Sequence, residues 1–280
     1  MFDLTHSPDA SLIEELERHC IDFAVEAGRF IRDERPTAVA VAATKTTETD
    51  VVTEMDRRSE ELLRTRVRQV RPADGILGEE GAQVRGTSGL TWVVDPIDGT
   101  VNYLYDIPAY AVSVAVVVGD PQVDGAWRPL AGAVADPCRG LVHHARRGGG
   151  ARTRPEAMDA GDGRVLSVST EHNLARALLA TGFGYSVDKR RDQARVLTRV
   201  LPAVRDIRRI GSAALDLVRV ADGSVDAYAE SGINAWDLAA GWVIVEEAGG
   251  VVSGLADHPG KSLTVAAPPS LVDGVRDLFR

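Results

Sequence analysis

Hydrophobic positions in the first part of the chain follow a helical period. Between residues 11 and 31 the apolar positions are Leu12, Leu16, Cys20, Phe23, Ala27 and Phe30, with spacings of three and four. This spacing predicts an amphipathic helix with one face turned towards a core. Thr53, followed three residues later by Asp56, has the pattern of a capping box and predicts a second helix that continues to Pro72. Further helices are predicted over residues 189–201, 212–221, 235–248 and 271–279.

Short runs of β-branched and other apolar residues alternate with these helices. They predict strands over residues 76–77, 90–94, 110–118, 130–135, 165–169, 178–181, 225–229, 251–252 and 263–266, a hairpin of residues 141–145 and 148–153, and an extended segment at 38–43. This mixture predicts an α/β (α+β) protein of layered sheets covered by helices. The polar segments 45–50 and 157–163 are predicted as loops. We expect the second of them to divide the chain into packed halves of residues 1–160 and 161–280.

Composition narrows the class of protein. The 280 residues are 44% hydrophobic and 26% charged, which is enough apolar material for a substantial core and argues against disorder. The formal net charge of −9 disfavours direct binding of nucleic acid but not of a phosphate beside bound cations. The two cysteines show no CxxC pattern, which is typical of a reducing cytoplasm. Residues 1–17 do not resemble a signal peptide, and no apolar run is long enough to predict a membrane span.

Candidate chemistry centres on residues 92–103. Asp95-Pro96 is predicted to end the preceding strand, because proline lacks the N–H that a central strand donates. Asp98 follows three residues after Asp95 on a tight turn, and Gly99-Thr100 can begin a helix. Two carboxylates beside free helix-start N–H groups suit a divalent cation and a phosphate. The stretch therefore indicates phosphoryl chemistry, the alternative being an Asp-Pro turn with a solvated aspartate.

Five segments along the chain share their order and spacing with a known family. They are Lys45 with Asp50-Val51-Val52-Thr53 and Asp56, then Gly78-Glu79-Glu80, Asp95-Pro96-Ile97-Asp98-Gly99-Thr100, Gly211-Ser212-Ala213-Ala214, and Trp236-Asp237-Leu238-Ala239-Ala240-Gly241. Together they resemble the inositol monophosphatase family of Mg²⁺-dependent, lithium-inhibited sugar phosphatases, over nearly the whole chain. The resemblance implies a layered αβαβα sugar-phosphatase fold, a homodimer and a small phosphorylated polyol as substrate.

The same resemblance implies ligands for two to three Mg²⁺ ions. Glu79, Asp95 and the backbone carbonyl of Ile97 would hold the first, and a third, weaker ion would lie near Glu79. Asp95, Asp98 and Asp237 would hold the second. Without metal, each close pair of these carboxylates would repel by ~4 kcal/mol at an effective dielectric constant of about 20. Taken alone, Asp237 is also typical of an acid that complements the dipole of a helix start.

For catalysis, the resemblance implies in-line attack of an Mg²⁺-activated water on the phosphate. Thr100 and Glu79 would orient this water and help to deprotonate it, while Asp56 accepts a hydrogen bond from the Thr100 hydroxyl. The N–H groups of Gly99 and Thr100 would hold the phosphate at the start of the helix.

The resemblance also implies a set of residues that contact the substrate. They are Asp98, Gly99, Thr100, Gly211, Ser212, Ala213, Glu230 and Asp237. Glu230 and the amide of Ala213 would contact the inositol ring, although Glu230 alone is also typical of a solvated strand end. Phe183 and Tyr185 stand in a region where some relatives carry a serine, and Val101 stands where a polar residue is frequent. These departures concern substrate preference. The basic cluster Arg205, Arg208 and Arg209 either lies near the site or is a solvated face.

Three functions fit these patterns. The first is hydrolysis of inositol-1-phosphate to myo-inositol and phosphate. The second is a related phosphatase that acts on histidinol phosphate, fructose 1,6-bisphosphate or a 3′-phosphonucleotide. The third, from another class, is a protein that binds the transcription machinery, as some bacterial relatives of the family do.

Overall fold

The computed structural model describes residues 9–45, 51–157 and 163–280. Its helices are α1 (Ala10–Asp33), α2 (Glu54–Val70), α3 (Thr100–Tyr105), α4 (Val187–Val200), α5 (Ala213–Ala221), α6 (Ala235–Glu247) and α7 (Val272–Phe279), with a 3-10 turn at Leu174–Arg176. Its strands are β1 (Val41–Thr44), β2 (Val51–Thr53), β3 (Gly75–Gly78), β4 (Leu90–Asp98), β5 (Ala111–Gly119), β6 (Trp127–Asp136), β7 (Leu141–Arg146), β8 (Gly150–Pro155), β9 (Arg164–Val165), β10 (Leu178–Ala180), β11 (Asp206–Arg208), β12 (Ala227–Glu230), β13 (Val251–Ser253) and β14 (Thr264–Ala267). Each helix predicted above is present, with ends that differ by a few residues.

Five layers of helices and strands alternate across the molecule. A seven-stranded sheet with the order β3-β4-β5-β6-β7-β8-β9 packs α1 and α2 on one face and α5 and α6 on the other. A five-stranded sheet with the order β11-β10-β12-β14-β13 packs against the far side of α5 and α6, and α4 and α7 cover its outer face. The predicted αβαβα layering is confirmed.

The hydrophobic pattern explains why each element occupies its layer. Along β4, Trp92 and Val94 join the core beneath α1 and α2, while Val93 faces α5 and α6, as the two-residue period of a strand requires. In α6 every residue from Leu238 to Val245 is buried, because this helix lies between two sheets and has no solvent face. Within the described ranges, no helix is both long enough and apolar enough to span a membrane.

The strand that carries the central acids is longer than predicted. β4 continues through Pro96 to Asp98, so the prediction that Asp95-Pro96 ends the strand is wrong. Pairing with β3 stops at Val94, and pairing with β5 shifts register between Asp95 and Asp98, which marks a bulge. Pro96 lies in this irregularity, where its missing N–H interrupts no regular ladder. In an unbroken strand Asp95 and Asp98 would point to opposite faces, so the bulge is what allows both side chains to serve one site.

Several smaller differences concern short strands. β9 contains only Arg164–Val165 instead of residues 165–169, and it extends the seven-stranded sheet. β2 and β11 were not predicted, because each has only three residues, too few to show a strand period, and two of the three in β11 are charged. Residues 46–50 and 158–162 of the predicted loops lie outside the described residues. The division into halves at residue 160 stays a prediction.

Candidate active site

Three aspartates from distant parts of the chain converge at one point. Asp95 and Asp98 come from the bulged end of β4, and Asp237 comes from the first turn of α6. Each offers a carboxylate oxygen that lies within 4.8 Å of those of the other two. Asp95 Oδ1 accepts the N–H of Ile97 at 3.1 Å, and Asp237 Oδ2 accepts the N–H of Asn234 at 2.6 Å. These backbone bonds fix the orientation of both carboxylates towards the common point.

Asp98 also joins the seven-stranded sheet to α5. Its Oδ2 accepts hydrogen bonds from the Ser212 hydroxyl and the Ala214 N–H, both at 2.6 Å, and its Oδ1 accepts the Ala213 N–H at 3.3 Å. Ser212 and Ala213, which the resemblance placed at the substrate, therefore contact Asp98 here. Gly211 precedes them with a φ of 100°, a left-handed conformation that glycine adopts without strain.

Glu79 lies in the same cavity but outside this group of three aspartates. It follows β3, and its Oε1 is 2.7 Å from the ammonium of Lys45, which also pairs with Glu80. Burial raises the pKa of Glu79 to about 7, although Lys45 acts in the opposite direction. Without metal, the Glu79 carboxyl therefore loses its proton near neutral pH.

Like charge dominates the electrostatics of the cluster. Burial and then the neighbouring carboxylates raise the pKa values of Asp95 and Asp237 well above those of ordinary aspartates. Burial also raises the pKa of Asp98, but its bonds to Ser212 and Ala214 oppose that shift. A hard divalent cation would replace this repulsion by attraction, and carboxylate oxygens are its preferred protein ligands. The donor set thus fits Mg²⁺.

A chain of hydrogen bonds ends at the Thr100 hydroxyl. Thr100 Oγ1 lies 3.0 Å from Asp56 Oδ1 and 3.1 Å from the carbonyl oxygen of Ile97, both of which can accept its proton. Asp56 Oδ2 accepts the N–H and the hydroxyl of Thr53, so the predicted capping box of α2 is confirmed. Burial raises the pKa of Asp56. Asp56, the third residue of α2 and the acid of its capping box, therefore also holds the side chain that begins α3.

The predicted residues surround one cavity of about 550 Å³. Its lining includes Glu79, Asp95, Ile97, Asp98, Gly99, Thr100, Gly211, Ser212, Ala213, Glu230 and Asp237, together with Phe183 and Tyr185. Of the predicted site residues, Asp56 lies behind this lining, through its bond to Thr100. Glu230 Oε2 accepts the Tyr228 hydroxyl at 2.8 Å, and burial raises the pKa of Glu230 to about 7. Glu230 is thus a half-buried cavity residue, not a solvated strand end.

Sequence reasoning missed three residues at or beside this cavity. Lys189 of α4 lines it, as does Asp216 of α5. Asp216 is 2% exposed, its nearest cation is Arg219 at 3.9 Å, and burial raises its pKa to about 8. Glu60 lies behind the loop that carries Glu79. The available signal for Glu60 was its position four residues after Asp56, on the same face of α2.

Known proteins are similar to this chain in both sequence and fold. The profile of the inositol monophosphatase family matches residues 12–274. The inositol-1-monophosphatase of Mycobacterium leprae is 46% identical, with 94% of this chain and 92% of the relative covered. The Nus factor SuhB of Escherichia coli is 35% identical, with 89% and 90% covered. The solved structure of Mycobacterium tuberculosis SuhB superimposes with a TM-score of 0.78 at 43% identity and covers 95% of this chain and 96% of its own.

The layered fold and its acidic cavity are those of a phosphatase. Because the family profile spans almost the whole sequence, the chain belongs to the inositol monophosphatase family. Members of this family are in general Mg²⁺-dependent, and the cluster of Asp95, Asp98 and Asp237 offers the acidic ligands for such an ion. The resemblance noted in the sequence is thereby confirmed.

Glu60→Gln should weaken Mg²⁺ binding. The Glu60 carboxylate accepts the N–H of Glu80 at 2.7 Å and that of Gly81 at 2.8 Å, and Arg64 holds it at 2.7 Å. A glutamine would turn an NH₂ group towards one of these donors and loosen the loop of Glu79. We expect Mg²⁺ affinity, measured by calorimetry, to fall about tenfold. Glu61→Gln on the exposed side of α2 is the control, and equal affinities in both variants would contradict the prediction.

Without metal, the free energy of unfolding should fall as pH rises. Glu79 binds a proton up to about pH 7 when folded, against 4.5 when unfolded, so the folded state holds more protons in that interval. Its contribution to stability is therefore lost as pH rises through about 7, and the raised pKa values of Asp95 and Asp237 act in the same direction. Mg²⁺ held by these carboxylates would take the place of the protons, so replacing EDTA by Mg²⁺ should raise the melting temperature more at about pH 8 than at about pH 5.5. Equal gains at both pH values would refute this account.

Proposed function

We propose that the protein hydrolyses a phosphate monoester in a Mg²⁺-dependent reaction, with inositol-1-phosphate as its substrate. The observation that carries the proposal is the convergence of Asp95, Asp98 and Asp237 on a cavity that Thr100 also lines. The name of the Mycobacterium leprae relative, inositol-1-monophosphatase, supports the choice of substrate.

In this proposal the acidic side chains hold metal and the phosphate lies beside them. Asp95, Asp98 and Asp237 would be ligands, joined by Glu79 and the carbonyl oxygen of Ile97. Bound Mg²⁺ would lower the pKa of the attacking water and stabilise charge on the leaving oxygen. Gly99 and Thr100 would offer their N–H groups to the phosphate where α3 begins.

Thr100, Asp56 and Glu79 would control the proton of the attacking water. When the Thr100 hydroxyl donates to Asp56, its oxygen is left free to accept a hydrogen bond from the water. Glu79 would help to take the proton of this water, as a carboxylate held within reach of the water can.

Glu230 would recognise hydroxyl groups of the leaving alcohol. Tyr228 fixes one of its carboxyl oxygens and leaves the other free for the substrate. Phe183 and Tyr185 supply the adjoining wall of the cavity. This end of the site would therefore determine which phosphate ester is preferred.

A panel of phosphate esters tests the proposal. Inositol-1-phosphate, histidinol phosphate, fructose 1,6-bisphosphate and a 3′-phosphonucleotide are assayed for phosphate release with Mg²⁺, with EDTA and with added lithium. We expect release that requires Mg²⁺, favours inositol-1-phosphate and is inhibited by lithium. A strong preference for another ester would refute the substrate, and no release from any ester would refute the reaction.

A second candidate function is binding to the transcription machinery. The observation in its favour is that the Escherichia coli relative is named a Nus factor. A pull-down with RNA polymerase tests it, in parallel with the phosphatase assay. Stable capture of polymerase by a protein without phosphatase activity would make binding the main function, whereas no capture would remove this candidate.

We further propose that the protein is a cytoplasmic homodimer. Family resemblance suggests the dimer, and the two cysteines, Cys20 and Cys138, are free thiols, as suits a reducing compartment. Size-exclusion chromatography with light scattering tests the dimer, and a mass near 29.9 kDa, that of one chain, would refute it.

A further inference from the structure

Two loops form the end of the cavity at which the leaving alcohol would lie. The first loop, residues 182–185, follows β10, and the second loop, residues 231–234, follows β12. These two strands are parallel neighbours in the five-stranded sheet, so their carboxyl ends open on the same side, where ligands commonly bind in α/β sheets. The first loop brings Phe183 and Tyr185 to the cavity, and the second loop comes directly after Glu230.

The side chain of Gln193 in α4 joins the two loops. Its Oε1 accepts the N–H of Gly184 at 2.9 Å, and its Nε2 donates to the carbonyl and hydroxyl oxygens of Ser231, each at 3.4 Å. The orientation of the amide group follows from these partners, because a backbone N–H can only donate and a carbonyl oxygen can only accept. One side chain thus bridges two loops that are distant in sequence.

A second residue of α4 contributes to the hold on the first loop. Arg190, one helical turn before Gln193, donates from Nε to the carbonyl oxygen of Gly184 at 2.7 Å. Both backbone polar groups of Gly184 are therefore bonded to α4, which fixes the chain between the two aromatic residues of the cavity wall. Gln193 is half-buried whereas Arg190 is exposed, so water competes less with the bonds of Gln193.

The packing around Gln193 makes the loop positions sensitive to its bonds. A Cβ atom at Gly182 would collide with the carboxylate of Glu230, so the first loop passes directly against this carboxyl. A small cavity of about 50 Å³ lies between the loops and α4, and its lining includes Phe183, Gln193 and Glu230. Phe183 therefore has room to shift once the bonds of Gln193 are lost. Gln193 itself lies outside the lining of the active-site cavity.

We propose that Gln193 is a positioning residue that sets the preference for the leaving alcohol by holding the first and second loops at a fixed separation. The inference rests on the proposed function, because that function places the leaving alcohol at these loops. Phe183, Tyr185 and Glu230 would touch the alcohol, whereas the phosphate would lie at the aspartates and Thr100. Release of the loops should therefore weaken binding of the alcohol more than it slows the chemical step.

Gln193→Met tests this role, because methionine has a similar length but lacks both hydrogen-bonding groups. With Mg²⁺, the KM for inositol-1-phosphate should rise about tenfold while kcat stays within about threefold of the native value. The kcat/KM for glycerol 2-phosphate, whose smaller alcohol reaches less of the wall, should change by less than about threefold. Gln193→Glu keeps the acceptor for the Gly184 N–H and should restore most of the native KM. Arg195→Gln, exposed on the same helix and paired with Asp192, is the control and should match the native protein.

The outcomes separate the positioning role from the reaction. A native KM in Gln193→Met, or an equal loss for both esters, would overturn the role, since general loosening of the fold would act on every ester. If another ester is preferred in the panel, it takes the place of inositol-1-phosphate in this comparison. If no ester is hydrolysed, the proposed function fails, and amide hydrogen exchange decides whether Gln193 holds the loops. Both loops should then exchange about tenfold faster in Gln193→Met, and native exchange rates in either loop would refute the link.

Discussion

Asp95→Asn is expected to abolish Mg²⁺-dependent phosphate release while leaving the fold intact. Asp95 is 1% exposed and shares the cluster with Asp98 and Asp237. Asparagine has the same shape, and its carbonyl oxygen can still accept the N–H of Ile97. It loses the negative charge that would bind metal, and metal catalysis is worth several kcal/mol, so turnover should fall about a thousandfold or more.

The thermal stability of Asp95→Asn, unlike its turnover, should not fall when metal is absent. The metal-free variant should melt at or above the temperature of the native protein, because one of the repelling carboxylates is gone. Asp136→Asn is a matched control, since Asp136 is also buried and accepts a nearby backbone N–H, that of Arg139, at 3.1 Å. Normal turnover in Asp95→Asn, or equal loss in both variants, would refute the ligand role of Asp95.

Much of the fold could be predicted because local patterns and tertiary packing agree. The three- and four-residue spacing of apolar positions in α1 buries Leu16, Cys20 and Phe23, and the capping box at Thr53 begins α2 as expected. The bulge in β4 could not be predicted from the local sequence. Proline normally ends a central strand, and only the pairing with β5 shows that the strand continues beyond it.

The candidate site likewise contains some residues that the sequence could predict and others that it could not. Asp95, Asp98 and Asp237 could be predicted because they lie within segments that resemble the family, and the structure brings them together. Glu60 and Lys189 could not, because their positions at the site depend on tertiary contacts, such as the hydrogen bond from the N–H of Glu80 to Glu60 and the place of Lys189 in the cavity lining. An acid on a helix and a lysine in a charged helix are typical of solvated surfaces, and the four-residue spacing of Glu60 from Asp56 indicates a shared helix face but not a role.

Thr100→Ala should lower kcat far more than it changes KM. The Thr100 hydroxyl lies between Asp56 Oδ1 at 3.0 Å and the carbonyl oxygen of Ile97 at 3.1 Å, so its orientation is fixed before substrate arrives. In the proposed reaction it orients the attacking water, a contact that matters most in the transition state. Removing one such preorganised group typically costs ~10²–10³ in kcat. Binding of the substrate through metal and backbone N–H groups should change little, so KM should stay within about threefold of the native value.

Two further variants distinguish this role from a structural one. Thr100→Ser keeps the hydroxyl and should restore most of kcat, whereas Asp56→Asn keeps its shape but weakens the acceptor, so kcat should fall although Asp56 does not line the cavity. Calorimetric Mg²⁺ affinity should be the same in Thr100→Ala as in the native protein, because the hydroxyl is not among the proposed ligands. If Thr100→Ala loses metal affinity in proportion to kcat, or if Thr100→Ser is as slow as Thr100→Ala, the residue supports the site's shape instead of the attacking water. The pairing of Asp56 with Thr100 would then serve to join the starts of α2 and α3 and not to direct a proton.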